Sequence, residues 1–200
     1  MQLFETMRLE AGKIPRETYH LQRMTRSAEQ LGLPFSQHDW AQRLTDVKNT
    51  YTEHIYRLKV ILSAEGKLAT EIGALTDKPF LTACLREIDE ETPCWQRTNK
   101  TSERSHLQHR HQTDIVLFHN AEGKLLEFDI GNLVISNQGE QLTPRYENDF
   151  LCGCMRQALL DHGEVIEADL TVESLKAAMV AQENIWMINS LREWMPVQFR

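Results

Sequence analysis

Four places in the second half of the chain carry residue types that could do chemistry. Lys100 lies in a polar segment, and a lysine can act as a nucleophile or a general base. Glu127 lies at the end of an apolar run, and in 187–192 a second apolar run gives way to polar residues. The segment 153–156 begins a predicted helix, whose first N–H groups can bind an anion. Taken singly, each place also fits an ordinary structural role.

Size and charge limit the classes of function. The chain has 200 residues, of which 41% are apolar and 26% charged, with a net charge of −7. These values are typical of a globular protein. The acidic charge argues against a nucleic-acid partner. No apolar run approaches the roughly 20 residues that cross a bilayer, so we expect no membrane partner.

Targeting and cysteine content predict a cytoplasmic protein. Met1–Glu10 has no basic region followed by an apolar region, which argues against a signal peptide. Four cysteines in a chain of this length do not make a disulfide framework. Cys152 and Cys154 have one residue between them, a spacing typical of neither a zinc knuckle nor a thioredoxin motif.

Hydrophobic periodicity predicts a mixture of strands and helices. The elements predicted in the first half are a strand at Leu3–Leu9, a helix at Arg16–Leu31, a helix capped by Ser36, a hairpin of Tyr56–Leu62 with Lys67–Ile72, and a strand at Phe80–Ile88. Those predicted in the second half are strands at Asp114–His119, Lys124–Glu127, Asn132–Ser136 and Asn184–Asn189, and helices at Cys154–His162 and from Thr171 to Val180.

The order of these elements predicts an α+β fold rather than a regular βαβ array. A polar stretch containing Pro93 has no period and is typical of a linker. We therefore expect a small N-terminal domain at 1–90, a linker at 91–97 and a C-terminal domain at 98–200.

Five segments, in order, resemble the fold-type IV pyridoxal-phosphate (PLP) enzymes, the class IV aminotransferases of D-amino acid aminotransferase type. They are Phe4-Glu5-Thr6-Met7-Arg8, His20-Leu-Gln-Arg23-Met with Ser27-Ala28, Glu127-Phe-Asp-Ile-Gly-Asn132-Leu-Val, Gly153-Cys-Met-Arg156, and Asn189-Ser190-Leu-Arg192-Glu-Trp-Met-Pro196-Val197. Any one match is weak, but their order and spacing hold over nearly the whole chain.

The 4-amino-4-deoxychorismate lyases are the subgroup that the chain resembles most. Lys100-Thr-Ser-Glu-Arg104 is similar to their K-T-T-x-R motif, with Ser102 in place of the second threonine. The interval from Lys100 to Glu127 (127 − 100 = 27) is also short, as in the form fused to aminodeoxychorismate synthase component I. The resemblance implies formation of 4-aminobenzoate and pyruvate for folate biosynthesis.

The resemblance also implies roles for individual residues. Lys100 would hold PLP covalently in a cleft between the domains and then transfer the proton, with help from Thr6. Glu127 would keep the ring nitrogen protonated. The implied phosphate ligands are Arg23, the N–H groups of Cys154 and Met155, and Ser190. The implied substrate contacts are Arg192, Arg8 and Tyr56. A homodimer acting on a small amino-group substrate is also implied.

Three alternatives stay open. The chain could be a transaminase of the branched-chain or D-amino acid type, or a PLP-fold binding protein without activity. The cluster of His106, His109 and His111 could bind zinc, since two of its histidines are three residues apart. No cysteine or carboxylate joins them at ligand spacing, so we interpret the cluster as solvated surface and predict no metal site.

Overall fold

The computed structural model of the chain describes residues 1–89, 91–109 and 112–200. They form two compact units. Unit 1 comprises Met1–Asp77 and Asn99–Glu103, and unit 2 comprises Lys78–Thr98 and Arg104–Arg200. Each unit contains both helices and strands, which confirms the predicted α+β class.

Unit 1 is a three-stranded antiparallel sheet with two helices. Its elements are β1 (Leu3–Glu10), α1 (Glu17–Leu31), α2 (Gln37–Thr50), β2 (Ile55–Leu62) and β3 (Leu68–Ala74), and the strand order is β1-β2-β3. Alternate residues of β1, such as Leu3 and Met7, are buried in a core that also takes Trp40 and Leu44 from α2. Ser36 caps α2 as predicted, because its hydroxyl accepts the Asp39 N–H.

The segment Asn99–Glu103 belongs to unit 1 because it pairs with the start of β1. Leu3 and Thr101 form an antiparallel bridge, and the Phe4 N–H donates to the Lys100 carbonyl at 3.0 Å. The sequence places Lys100 in the second domain, whereas this pairing attaches it to the first compact unit. Long-range backbone hydrogen bonds of this kind leave no mark in local periodicity.

Unit 2 contains a larger sheet with helices packed on it. Its elements are β4 (Leu81–Glu87), α3 (Cys94–Thr98), a 3₁₀ turn (Ser105–Leu107), β5 (Ile115–His119), β6 (Leu125–Phe128), β7 (Gly131–Asn137), β8 (Glu140–Pro144), α4 (Cys154–Asp161), β9 (Ile166–Ala168), α5 (Val172–Val180), β10 (Ile185–Asn189) and β11 (Glu193–Phe199). The strand order is β10-β11-β4-β5-β6-β7-β8-β9, and β10 also pairs with β7. The strands β4 to β7, β10 and β11 therefore close into a ring.

Unit 2 differs from the predicted organisation in three respects. Strand β4 pairs in parallel with both β5 and β11, so it lies in unit 2 and not with residues 1–77. Helix α3 lies within the predicted linker 91–97 and extends to residue 98. Strands β8, β9 and β11 are additional. The first two are only five and three residues long, too short for a clear period.

No helix among the described residues combines the length and the apolar character that crossing a bilayer requires.

Candidate functional site

A buried cluster of three ionisable side chains lies in unit 1. Glu5 is on β1, and His20 and Arg23 are three residues apart on α1, so both face the same side of the helix. All three are at most 5% exposed. The Arg23 Nε donates to Glu5 Oε1 at 2.8 Å, and His20 Nδ1 lies 2.7 Å from Glu5 Oε2. The predicted phosphate ligand Arg23 is thus held in place by a carboxylate.

The charges in this cluster follow from its burial and its pairing. Burial opposes ionisation of Glu5, but the neighbouring Arg23 and His20 outweigh it and hold the pKa of Glu5 well below its usual range. Burial also lowers the pKa of His20. A neutral His20 donates from Nδ1 to the carboxylate. Its Nε2 is buried and has no hydrogen-bond partner in the described parts of the chain.

Lys100 lies beside β1 with two other predicted site residues. Thr6 and Arg8 alternate with buried core residues, so they share with Phe4 the face of β1 that points away from the core. The Lys100 Nζ is 5.5 Å from the centroid of the Phe4 ring. The structure therefore brings Lys100, Thr6 and Arg8 to one face of the unit 1 sheet.

Tyr56 does not join this group. Its side chain packs against the core of unit 1, with its ring centroid 5.1 Å from that of Tyr51. The charged residues of β2 that share the face of Thr6 are Arg57 and Lys59, which sequence reasoning missed. Strict alternation along β2 contains this signal, because Leu58 and Val60 are the buried positions.

Glu127 lies in unit 2 at the end of β6. It is 3% exposed, and its Oε1 accepts the N–H of Leu151 at 3.1 Å. It faces Asn132 directly across the β6–β7 pair. Glu127 is therefore a buried acceptor whose position is fixed by a backbone hydrogen bond. A carboxylate at an ordinary strand end is exposed and has no such fixed position.

The other predicted residues of unit 2 lie at two chain turns. Cys154 and Met155 are the first residues of α4, whose N-cap Gly153 provides no side-chain cap. Ser190 and Arg192 follow β10, in a turn where the Arg192 N–H donates to Asn189 Oδ1 at 2.7 Å. Strand β7 connects Glu127 with the turn after β10, because it pairs with both β6 and β10, and its Asn132 accepts the Gly153 N–H at the start of α4.

The polar groups of unit 2 fit a bound phosphate and a protonated ring nitrogen. Ser190 is 6% exposed, and within the described residues its hydroxyl has no hydrogen-bond partner. A buried hydroxyl without a partner is costly unless a ligand satisfies it. A hydroxyl and the N-terminus of α4 suit a phosphate. The buried carboxylate of Glu127 suits a cationic N–H, so these residues fit PLP.

The histidine cluster differs from its interpretation as solvated surface. His106 is 9% exposed, and its Nδ1 lacks a partner among the described residues. The side chain of His109 is 6% exposed, and its Nε2 lies 3.2 Å from Asp129 Oδ2. Burial raises the pKa of Asp129. His111 lies outside the described residues. Tertiary contacts therefore bury His106 and His109, although the polar sequence around them predicts exposed side chains.

Comparison with known proteins identifies the family. A Schizosaccharomyces pombe protein whose name proposes an aminodeoxychorismate lyase is 27% identical over 96% of this chain and 86% of its own length. A Mesorhizobium loti crystal structure, described as a proposed amino-acid aminotransferase, is 27% identical with a TM-score of 0.84, covering 100% of this chain and 99% of its own.

A third relative was solved with its cofactor. The PLP-bound form of a hypothetical Mycobacterium tuberculosis aminotransferase has a TM-score of 0.84 at 20% identity, and the match covers 99% of this chain and 80% of that one. The model of the family described as amino-transferase class IV matches residues 2–198. The fold is therefore that of fold-type IV, and the chain is an enzyme that belongs to the class IV aminotransferase family.

Proposed function

We propose that this enzyme binds PLP and acts as a 4-amino-4-deoxychorismate lyase. The observation that carries the cofactor assignment is the buried hydroxyl of Ser190, which has no hydrogen-bond partner among the described residues. Strand β7 connects its turn to Glu127 through β6 and β10, and Asn132 of β7 bonds the Gly153 N–H at the start of α4. The lyase assignment is supported by the resemblance of Lys100-Thr-Ser-Glu-Arg104 and by the name of the S. pombe relative.

Each residue then has a defined task. PLP, when bound, supplies an electron-withdrawing ring that stabilises negative charge at the substrate carbon beside the amino group. Glu127 would hold the proton on the ring nitrogen, and Ser190 and the first N–H groups of α4 would bind the phosphate, a role that the resemblance also implies for Arg23. Lys100 would hold the cofactor, and its Nζ would accept the proton from the substrate carbon.

The residues that the resemblance assigns to the substrate are Arg8, Thr6 and Arg192. Arg8 lies beside Thr6 on β1, and its Nε donates to Glu10 at 2.8 Å. Thr6 assists proton transfer through its hydroxyl, and Arg192 binds a carboxylate. Elimination divides the substrate into 4-aminobenzoate and pyruvate, which together contain all of its atoms, so no co-reactant is needed.

One assay separates this function from its alternatives. Purified enzyme with PLP is incubated with aminodeoxychorismate, and 4-aminobenzoate and pyruvate are measured by chromatography. We expect equal amounts of both. Amino-group transfer from branched-chain or D-amino acids to 2-oxoglutarate, without 4-aminobenzoate, would assign a transaminase instead. A protein that remains colourless with PLP and converts neither substrate would be a binding protein.

We also propose that the enzyme is a cytoplasmic homodimer, with residues of the partner subunit near the substrate. The support is the family resemblance and, for the compartment, four cysteines that are all free. Sedimentation of the PLP-loaded enzyme should show a species of twice the 23.3 kDa chain mass. A species of only 23.3 kDa would reject the dimer.

A further inference from the structure

One loop of unit 2 is held by side chains at three of its backbone groups. The residues Leu151, Cys152 and Gly153 form no helix or strand, and they lead directly into α4. The Leu151 N–H donates to Glu127 Oε1 at 3.1 Å, and the Leu151 carbonyl accepts from Asn132 Nδ2 at 3.0 Å. The Gly153 N–H donates to Asn132 Oδ1 at 3.1 Å.

Asn132 uses both ends of its amide in this arrangement. It is 3% exposed, so neither hydrogen bond is replaced by water without cost. Asparagine carries a donor and an acceptor on one short side chain. Aspartate keeps the acceptor and loses the N–H donor, leucine loses both, and glutamine is one methylene longer. The position therefore needs asparagine for its chemistry as well as its size.

Gly153 shows how closely Asn132 approaches the loop. A Cβ atom at Gly153 would lie well inside van der Waals contact with Asn132 Oδ1. Gly153 has φ −68° and ψ 142°, an extended conformation that any residue can adopt. The glycine is therefore required by contact with Asn132 and not by its backbone angles.

We infer that Asn132 is a positioning residue that fixes the start of α4 relative to Glu127. The two side chains face each other across β6 and β7, and both hold Leu151. One loop thus connects the carboxylate proposed for the ring nitrogen with the N–H groups proposed for the phosphate. The inference rests on the proposed PLP function. In it, Asn132 sets the distance between the groups that bind the two ends of the cofactor.

The test compares PLP with pyridoxal, which lacks the phosphate, in wild type and in Asn132→Asp. The introduced carboxylate cannot donate to the Leu151 carbonyl, so the start of α4 loses its position. We expect PLP affinity to fall by about 10-fold or more while pyridoxal affinity changes much less, because only PLP uses the phosphate ligands. Lowering the pH protonates the introduced carboxyl, restores a donor and should recover part of the loss relative to wild type.

A second variant covers the case in which Asn132→Asp does not fold. Gly153→Ala keeps both amide atoms of Asn132 but pushes them from the loop, and it should lower PLP affinity relative to pyridoxal in the same way. Asn120→Asp is the matched control. Asn120 also bonds a backbone group, the Lys124 N–H, but it lies in the β5–β6 turn and should leave both affinities unchanged.

The outcomes separate the inference from the proposed function. Wild type that binds neither PLP nor pyridoxal would reject both. Wild type that binds PLP, with an unchanged PLP-to-pyridoxal ratio in the Asn132 and Gly153 variants, would reject the positioning role and leave the PLP function intact. A selective loss for PLP in both variants, with none in Asn120→Asp, would establish it.

Discussion

The buried carboxylates Glu5 of unit 1 and Glu127 of unit 2 are stabilised in different ways. In unit 1, Glu5 is held by the side chains of His20 and Arg23, so three ionisable groups depend on one another. In unit 2, Glu127 and Asn132 are held by backbone groups of one loop. An ion pair responds to pH and to loss of a charge, whereas a backbone hydrogen bond responds to geometry. We therefore expect substitution of Glu5 to alter stability and substitution of Glu127 to alter the site.

The largest effect is expected from Lys100→Ala. The variant cannot attach PLP covalently, so turnover and the yellow colour of the linked cofactor should both disappear. Because Lys100 lies in a polar segment, the free energy of unfolding of the cofactor-free protein should change by less than about 1 kcal/mol. Absorption spectra with and without borohydride, together with urea unfolding, measure both quantities.

Lys59→Ala provides the control for this comparison. The Lys59 Nζ is 5.1 Å from the same Phe4 ring, so it is a lysine in a comparable setting. Its removal should leave the colour and the borohydride reaction in place. A coloured, borohydride-sensitive Lys100→Ala variant would move the attachment to another lysine.

Glu127→Gln should slow turnover by several orders of magnitude while PLP stays bound. Glutamine keeps the Oε1 acceptor for the Leu151 N–H, so the loop remains in place, but it cannot hold the ring proton. Turnover and cofactor occupancy are measured on the same sample. Full occupancy with normal turnover would remove Glu127 from the mechanism.

Glu5→Gln should destabilise unit 1 more than any single exposed substitution. Loss of one charge leaves Arg23 buried without its counter-ion, and breaking a buried pair costs about 3–5 kcal/mol. Urea unfolding of the cofactor-free protein measures this change. Glu17→Gln, which breaks a partly exposed pair with Lys48, is the matched control and should cost about 1 kcal/mol or less. Equal effects of the two variants would contradict the proposed difference between buried and exposed charges.

A smaller effect is expected from pH, and it involves one histidine in each unit. Burial, with the charges of Arg104 and Arg97, lowers the pKa of His106 in unit 2 from 6.5 to about 4. Burial also lowers the pKa of His20 in unit 1. Below pH 6.5 the unfolded chain binds these protons and the native chain does not. Stability should therefore decrease as the pH falls from 6.5 towards 4.

Urea midpoints between pH 7.5 and 4.5 measure this dependence. His106→Gln removes one titrating group and should reduce the slope, and His20 should contribute to the slope that remains. Glu5 contributes mainly below its ordinary pKa of 4.5, because there the unfolded chain binds a proton that the folded Glu5 does not. An unchanged slope in His106→Gln would mean that folding does not lower the pKa of His106.

Local patterns were sufficient for most of the regular elements. Alternation along β1 and the apolar stripe of α1 depend only on neighbouring residues. The caps at Ser36 and Thr171 are equally local, since each side chain bonds a backbone group three residues away. The boundary between the units could not be predicted in this way. Strand β4 belongs to unit 2 because it pairs with β5 and β11, which lie far along the chain.

The sequence by itself determined the family, the α+β class and the residues whose side chains could take part in chemistry. These depend only on the order of the motifs and on the types of side chain. Only the tertiary structure decided their surroundings. It packed Tyr56 against the core of unit 1, paired Arg23 with Glu5, and joined Glu127 to Asn132 through one loop. Burial and hydrogen bonding between distant segments arise when the chain closes on itself, so no local pattern contains them.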